Sequence, residues 1–83
     1  MFYELWDLDS RNMIGDFDTE YEALVMVHDL LEVNVPSFAD FLSLGCNEDD
    51  GSFRIVAQGR PLAVMADRAV AKHTQAKRAR RLA

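Results

Sequence analysis

Aspartates at alternate positions are the first residues in this chain that could do chemistry. Asp7, Asp9, Asp16 and Asp18 lie near the ends of two short strand-like segments. A hairpin would bring two carboxylates from each segment together, and carboxylate oxygens are the ligands that a hard cation prefers. Solvated acids at strand ends are the simpler interpretation, because such sites also use close loop spacing and backbone carbonyls. We therefore predict no metal site.

A second acidic run precedes Gly51 and consists of Glu48, Asp49 and Asp50. Its composition is that of a calcium loop, but the alternating ligands and the distal glutamate of an EF-hand are missing. An Asp-Gly pair between two apolar segments is typical of a tight hairpin, because glycine readily adopts a positive φ. We predict a polar turn here.

Nucleophiles and imidazoles are few and scattered. His28, Cys46 and His73 match no zinc spacing. No serine lies in a Gly-x-Ser-x-Gly turn, and the four glycines form neither a phosphate-binding loop nor a dinucleotide fingerprint. The sequence thus predicts a protein that is not an enzyme and binds no cofactor.

Charge is distributed very unevenly along the 83 residues. Residues 1–71 contain four basic and fourteen acidic residues, a net charge of −10, whereas residues 72–83 contain five basic residues and no acid. We expect one domain over residues 1–71 and a basic C-terminal helix or tail over residues 72–83. This segment is either a solubilising tail that docks on an acidic surface or a contact for nucleic acid or another acidic partner. Its basic residues are Lys72, Lys77, Arg78, Arg80 and Arg81.

The sequence contains few features that indicate a cellular compartment. No apolar run approaches the roughly 20 residues that a transmembrane helix needs, and the N-terminus lacks the basic and apolar regions of a secretory signal. A single cysteine cannot form an internal disulfide, which suits a reducing compartment. We expect a cytoplasmic protein without a membrane partner.

Residue patterns predict two hairpins, each followed by a helix. The first hairpin spans residues 2–17, and Thr19 is placed to cap a helix that continues through Val33. The second hairpin spans residues 41–58, and Pro61 opens a helix toward Arg81. Residues 38–41 form either one helical turn or an extended lead-in.

The predicted fold is therefore α+β in the order ββαββα, with a four-stranded, mainly antiparallel sheet packed on the first, amphipathic helix. The other sheet face must be polar, covered by the C-terminal helix, or paired with another subunit. Apolar side chains assigned to that face, or to a surplus surface of the first helix, favour a homodimer or an unidentified protein partner. These candidate contacts are Tyr3, Leu5, Val25, Met26, Phe41 and Val56.

Three strings of the sequence, ELWDLDSRNMIGDFDTEYEAL, LSLG and DDGSFRIVAQG, resemble a group of short uncharacterised bacterial proteins. That resemblance covers residues 4–59 and implies this fold and a bacterial source, but no mechanism. A hairpin followed by Thr-x-x-Glu-Ala and an amphipathic helix is also distantly similar to the N-terminal half of HicB-type antitoxins. The leading hypothesis is a non-catalytic, dimeric protein-binding or regulatory module, and the alternative is an antitoxin-like regulator that contacts nucleic acid through its basic segment.

Overall fold

Two β-hairpins, each followed by a helix, form the fold, and the predicted ββαββα order is confirmed. The computed structural model describes the backbone of residues 1–82 and the side chains of residues 1–72. Residues 38–41 belong to a 3₁₀ helix, one of the two possibilities left open by the sequence. The elements are β1 (Phe2–Asp7), β2 (Asn12–Phe17), α1 (Glu20–Val33), the 3₁₀ helix (Pro36–Phe41), β3 (Leu42–Asn47), β4 (Phe53–Gln58) and α2 (Arg60–Leu82).

The four strands form one antiparallel sheet in the order β2-β1-β3-β4. The two hairpins therefore meet along β1 and β3, where Leu5 lies opposite Leu44. Strands β2 and β4 are the two edges. The chain consists of two ββα halves that are arranged alike around the β1–β3 pair.

Local side-chain hydrogen bonds shape both hairpin turns. In the first turn, the Asp7 carboxylate accepts hydrogen bonds from the Asp9 N–H and the Ser10 hydroxyl, both at 3.0 Å. In the second, the Asp50 carboxylate accepts from the N–H of Ser52 at 2.9 Å, and Gly51 has a φ of +90°. This explains why an Asp-Gly pair serves as the turn signal.

Each edge strand carries one β-bulge. The pairing of β1 with β2 shifts by one residue so that Ile14 is the extra residue, and the pairing of β3 with β4 shifts so that Val56 is the extra residue. Both side chains are partly buried and pack against the core. A bulge reverses the alternation of side chains along a strand, so residues on either side of it cannot be assigned to faces from sequence parity alone.

Helix α1 begins and ends with side-chain caps. The Thr19 hydroxyl accepts a hydrogen bond from the Glu22 N–H at 3.2 Å, as the sequence predicts. At the other end, the Asn34 side-chain amide donates to the Leu30 carbonyl at 2.8 Å, which satisfies one of the last helical acceptors. Pro36 then begins the 3₁₀ helix.

The hydrophobic core lies between one face of the sheet and both helices. Leu5, Leu42 and Leu44 of the sheet, Val27 of α1 and Leu62 of α2 are fully buried in a single cluster. Both helices therefore cover the same sheet face. The molecule measures 44 × 35 × 18 Å, and its thin dimension is that of two layers.

The assignment of two residues of β1 to the outer sheet face is wrong. Tyr3 and Leu5 were expected on the outer sheet face, but their exposed fractions are 6% and 0% and both belong to the core. They share this face with Cys46 and Leu44, their neighbours on β3. Strand β1 has two large apolar residues and one acid on each parity, so its alternation could not show which set faces the helices.

Candidate interaction surface

The outer sheet face, opposite the helices, is uncovered and apolar. We define it by the cross-strand rows of the sheet. One row consists of Met13, Trp6, Ser43 and Gln58, and the adjacent row consists of Asp16, Glu4, Gly45 and Ile55.

Beyond these rows, Phe2, Asn47 and Phe53 form a third row at one end of the face. At the other end, the Leu8 N–H donates to the Phe41 carbonyl at 2.7 Å, which continues the β1–β3 register by one step. By that register Leu8 and Phe41 also lie on the outer face. The face is thus four outward strand positions deep at its centre.

Large apolar side chains on this face are exposed. Phe53 is 51% exposed and Ile55 is 52% exposed, although both are in a β-strand. Most exposed large apolar side chains on a monomer occur singly, and a contiguous set of this kind marks an interaction site. Those of the outer face are Phe2, Leu8, Met13, Phe41, Phe53 and Ile55.

Two contacts determine which parts of this face protrude. The Trp6 indole N–H donates to the Glu4 carboxylate at 3.0 Å, so the two side chains lie together above β1. On β3 the side chains are small, and the ring of Phe53 occupies the space that a Cβ on Gly45 would take. The β1 side of the face is therefore raised relative to the β3 side.

Charge on the outer face is acidic and confined to one half. Glu4 and Asp16 are cross-strand neighbours on β1 and β2. Among residues 1–72, the strand positions that the register assigns to this face include no basic residue. Strand β4, on the other half, contributes Phe53, Ile55 and Gln58.

The remaining predicted contact residues are placed differently. Phe41 is 41% exposed at the end of the outer face. Val56 and Met26 are partly buried and pack against the core, and Val25 is partly buried on α1. Of the predicted apolar contacts, Phe41 is the one that the register places on the uncovered face.

Most residues of the outer face were not predicted from the sequence. Phe53 and Ile55 have the same parity, so the sequence pattern places them on one face of a strand. Because of the bulge at Val56, that face points away from the helices. Phe2 and Trp6 share a parity with Leu8 and lie with it on the outer face. The available signal was the presence of two large apolar residues on each parity of β1, which is typical of a strand covered on both sides.

Helix α2 continues as far as Leu82. The backbone of the basic segment is therefore an extension of the helix that packs on the sheet. Lys72 is exposed on α2. The side chains of the other predicted contacts lie outside the described residues: Lys77, Arg78, Arg80 and Arg81.

The aspartates of the first hairpin do not form a cluster. Asp7 pairs with Asn12 near the turn, whereas Asp16 pairs with Glu4 toward the opposite end of the hairpin. No group of three or more potential metal ligands is found among the residues whose side chains are described.

The histidine and the cysteine occupy ordinary structural positions. His28, which is partly buried, lies 3.5 Å from the exposed Glu32 carboxylate and 3.8 Å from that of Asp29, all on α1. Cys46 is fully buried in the core. Its thiol donates a weak hydrogen bond to the Glu48 carboxylate at 3.8 Å.

Two surface cavities lie beside the helices, and the first also borders the outer face through Phe2 and Asp16. One of about 490 Å³ lies between the start of β1 and the start of α1 and is lined by Phe2, Asp16, Phe17, Asp18 and Glu22, together with Met1. The other, of about 300 Å³, lies between α1, the 3₁₀ helix and α2. Its lining includes His28, Glu32 and Asp67.

Comparisons with protein-family models, curated proteins and solved structures found no match to this chain. Among the described residues, no helix has both the length and the apolar character needed to cross a membrane.

Proposed function

We propose that this protein is a non-catalytic interaction module of the bacterial cytoplasm that forms a homodimer through its outer sheet face. The observation that supports the proposal most directly is the apolar, uncovered face opposite the helices. A two-layer α/β sandwich needs one buried sheet face, and the second face is normally polar when it contacts water. Here it carries phenylalanine, isoleucine, methionine and tryptophan.

The size of the face fits a modest dimer interface. Four strands of six residues cover about 19 × 20 Å. Two such faces with their side chains would bury on the order of 1,200 Å², the lower end of the range for specific interfaces. We therefore expect a reversible dimer, with dissociation measurable at micromolar protein concentrations.

The sheet edges are a poorer place for association. Unpaired edge strands can pair with a second chain. Here a bulge at Ile14 interrupts the edge strand β2, and a bulge at Val56 interrupts the edge strand β4. Edge-to-edge pairing also leaves the outer face exposed. Face-to-face packing covers the apolar side chains and leaves the helices on the outside.

The test is the light-scattering mass of the full chain over about 10–200 μM, a range chosen for an interface of this size. We expect twice the chain mass of 9.4 kDa for the unchanged protein. Ile55→Glu should give the mass of a monomer, because it would bury an unpaired charge in the interface. Val64→Glu is the matched control, since Val64 is 47% exposed on α2 and should leave the dimer intact.

A monomeric mass for the unchanged protein throughout this range would contradict the proposal. So would a dimer that Ile55→Glu leaves intact, because the interface would then lie elsewhere.

A second candidate function is binding of nucleic acid through the basic segment. The continuation of α2 to Leu82 supports it, because it places the basic residues of the C-terminal segment on one continuous helix. Neutralisation of several phosphates would make the affinity fall steeply with salt.

This candidate is tested with labelled duplex DNA and the full chain, at several salt concentrations. We expect the affinity to fall linearly with salt on logarithmic axes, and to be lost when Lys77, Arg78, Arg80 and Arg81 are all replaced by glutamine. Replacement of Arg11, Arg54 and Arg60 by glutamine is the control. Equal binding by the two variants would contradict a role for the segment.

A further inference from the structure

We infer that the two-fold axis of the dimer runs parallel to the strands, between β1 and β3, so that β1 of one copy lies against β3 of the other. This inference rests on the proposed dimer and specifies its geometry. Aligned packing of two sheets leaves two choices for a two-fold axis in the interface plane: along the strands or across them. Charge and side-chain size on the outer face distinguish these choices.

An axis across the strands would place like charges together. It lays β1 on β1 and β2 on β2, so the half of the face that contains Glu4 and Asp16 would meet the same half of the second copy. Carboxylates brought together in a region without water repel one another strongly. Among residues 1–72, the register places no basic residue on this face to offset that repulsion.

An axis along the strands separates the two Asp16 carboxylates. It lays β2 on β4, so Asp16 of one copy lies in the row of Ile55 of the other, and Glu4 lies in the row of Gly45. The acidic half of each copy then meets the uncharged half of its partner. Asp16 then lies about three strand spacings from its symmetry mate, whereas Glu4, next to the axis, lies about one strand spacing from its own.

Side-chain size favours the same axis. On the outer face, β1 presents Trp6 and Glu4, whereas β3 presents Ser43 and Gly45 at the same levels. The axis along the strands sets Trp6 of one copy against Ser43 of the other, which lets the two faces interdigitate at that level; at the Gly45 level the space is already filled by the ring of Phe53. The axis across the strands sets the raised β1 strands against each other.

This geometry has a consequence for α2. The helix follows β4 after a single residue, Gly59, whose φ of +66° allows a sharp reversal over the sheet. Rotation about an axis parallel to the strands preserves position along the strands. Both α2 helices therefore leave the dimer at the same end, in outer layers separated by roughly 30 Å, and their basic segments are presented together.

The test uses cysteines at Met13 and Gln58, which share a row at opposite edges of the face. Met13→Cys and Gln58→Cys chains are prepared separately, mixed to exchange subunits and treated with a short bismaleimide. Mass spectrometry then distinguishes the three possible covalent dimers. The unchanged protein, whose Cys46 is buried, and Val64→Cys on the helical side are the controls.

We expect the mixed covalent dimer of the two variants, and loss of covalent dimer when either variant is treated alone. Efficient cross-linking of each variant to itself would overturn the inferred axis while leaving the proposed dimer intact. A monomeric mass by light scattering would overturn both. A dimeric mass with no cross-link in any combination would also overturn both, because the outer faces would not be in contact.

Discussion

The ring of Phe53 on β4 lies over Gly45 on β3 and fills the space where a side chain at Gly45 would begin. The two residues are close in the register of an antiparallel pair. A glycine in a strand interior is usually a weak point, and an aromatic ring laid across it restores some of the missing contact. This pair fixes the position of one of the largest side chains on the outer face.

Replacement of Gly45 by alanine should displace that ring. We expect a loss of about 1–2 kcal/mol in the free energy of unfolding, because the added methyl group overpacks the site. The measurement is urea unfolding at a fixed protein concentration. Gly15→Ala is the matched control, since the nearest atom there, the Phe17 Cζ, lies 3.3 Å from the added carbon and needs only a small shift. A larger effect at Gly15 than at Gly45 would contradict the account of Phe53.

The hydroxyl of Thr19 should stabilise the start of α1. Thr19→Ala removes the acceptor for the Glu22 N–H and should cost about 1 kcal/mol of stability. Thr19→Ser keeps an acceptor at the same place and should restore most of it. Thermal unfolding of the three proteins under one condition provides the comparison. If serine is no better than alanine, the hydrogen bond is not the reason for the effect.

Asn47 has a buried side-chain amide nitrogen that finds no acceptor among the described residues. An unsatisfied buried donor costs about 1–3 kcal/mol. Asn47→Val removes the donor and suits a strand, so the free energy of unfolding should rise by about 1 kcal/mol. Asn12→Val, at an exposed position on β2, is the control for the change of residue type. A fall in stability at Asn47 would show that its amide has a partner in solution.

Tyr3 should make stability depend on alkaline pH. Burial raises the pKa of its hydroxyl above the ordinary value of 10.0. The folded state therefore disfavours the ionised form, so this contribution to stability is complete below the unfolded pKa and is lost as the pH rises through the folded pKa. Urea midpoints measured between pH 8 and the alkaline limit should fall less steeply for Tyr3→Phe. Identical slopes would mean that Tyr3 ionises equally easily in both states.

The sequence was sufficient to predict the order and approximate bounds of the elements. Turn residues such as Asp50 and Gly51, and the cap at Thr19, act through local hydrogen bonds and backbone geometry, which a sequence records directly. For the same reason, both hairpins and the start of α1 were found.

The face to which each strand residue points could not be predicted in the same way. The outer-face assignment of Tyr3 and Leu5 is wrong because β1 has large apolar residues on both sides, and only its pairing with β3 and the position of the helices decide which side is buried. On β4 the bulge at Val56 depends on tertiary pairing and has no clear local signature. The candidate surface follows from these two features, so its residues were largely missed.

The arrangement of the two ββα halves also bears on how the chain folds. Each hairpin closes over a short turn, but the ladder between β1 and β3 joins residues about 40 positions apart in the chain. Local hairpins form in microseconds, whereas distant strands must search for their alignment. The meeting of the two halves should therefore set the folding rate. Changes that weaken the Leu5–Leu44 contact would then slow refolding, while changes in the hairpin turns would act mainly on the rate of unfolding.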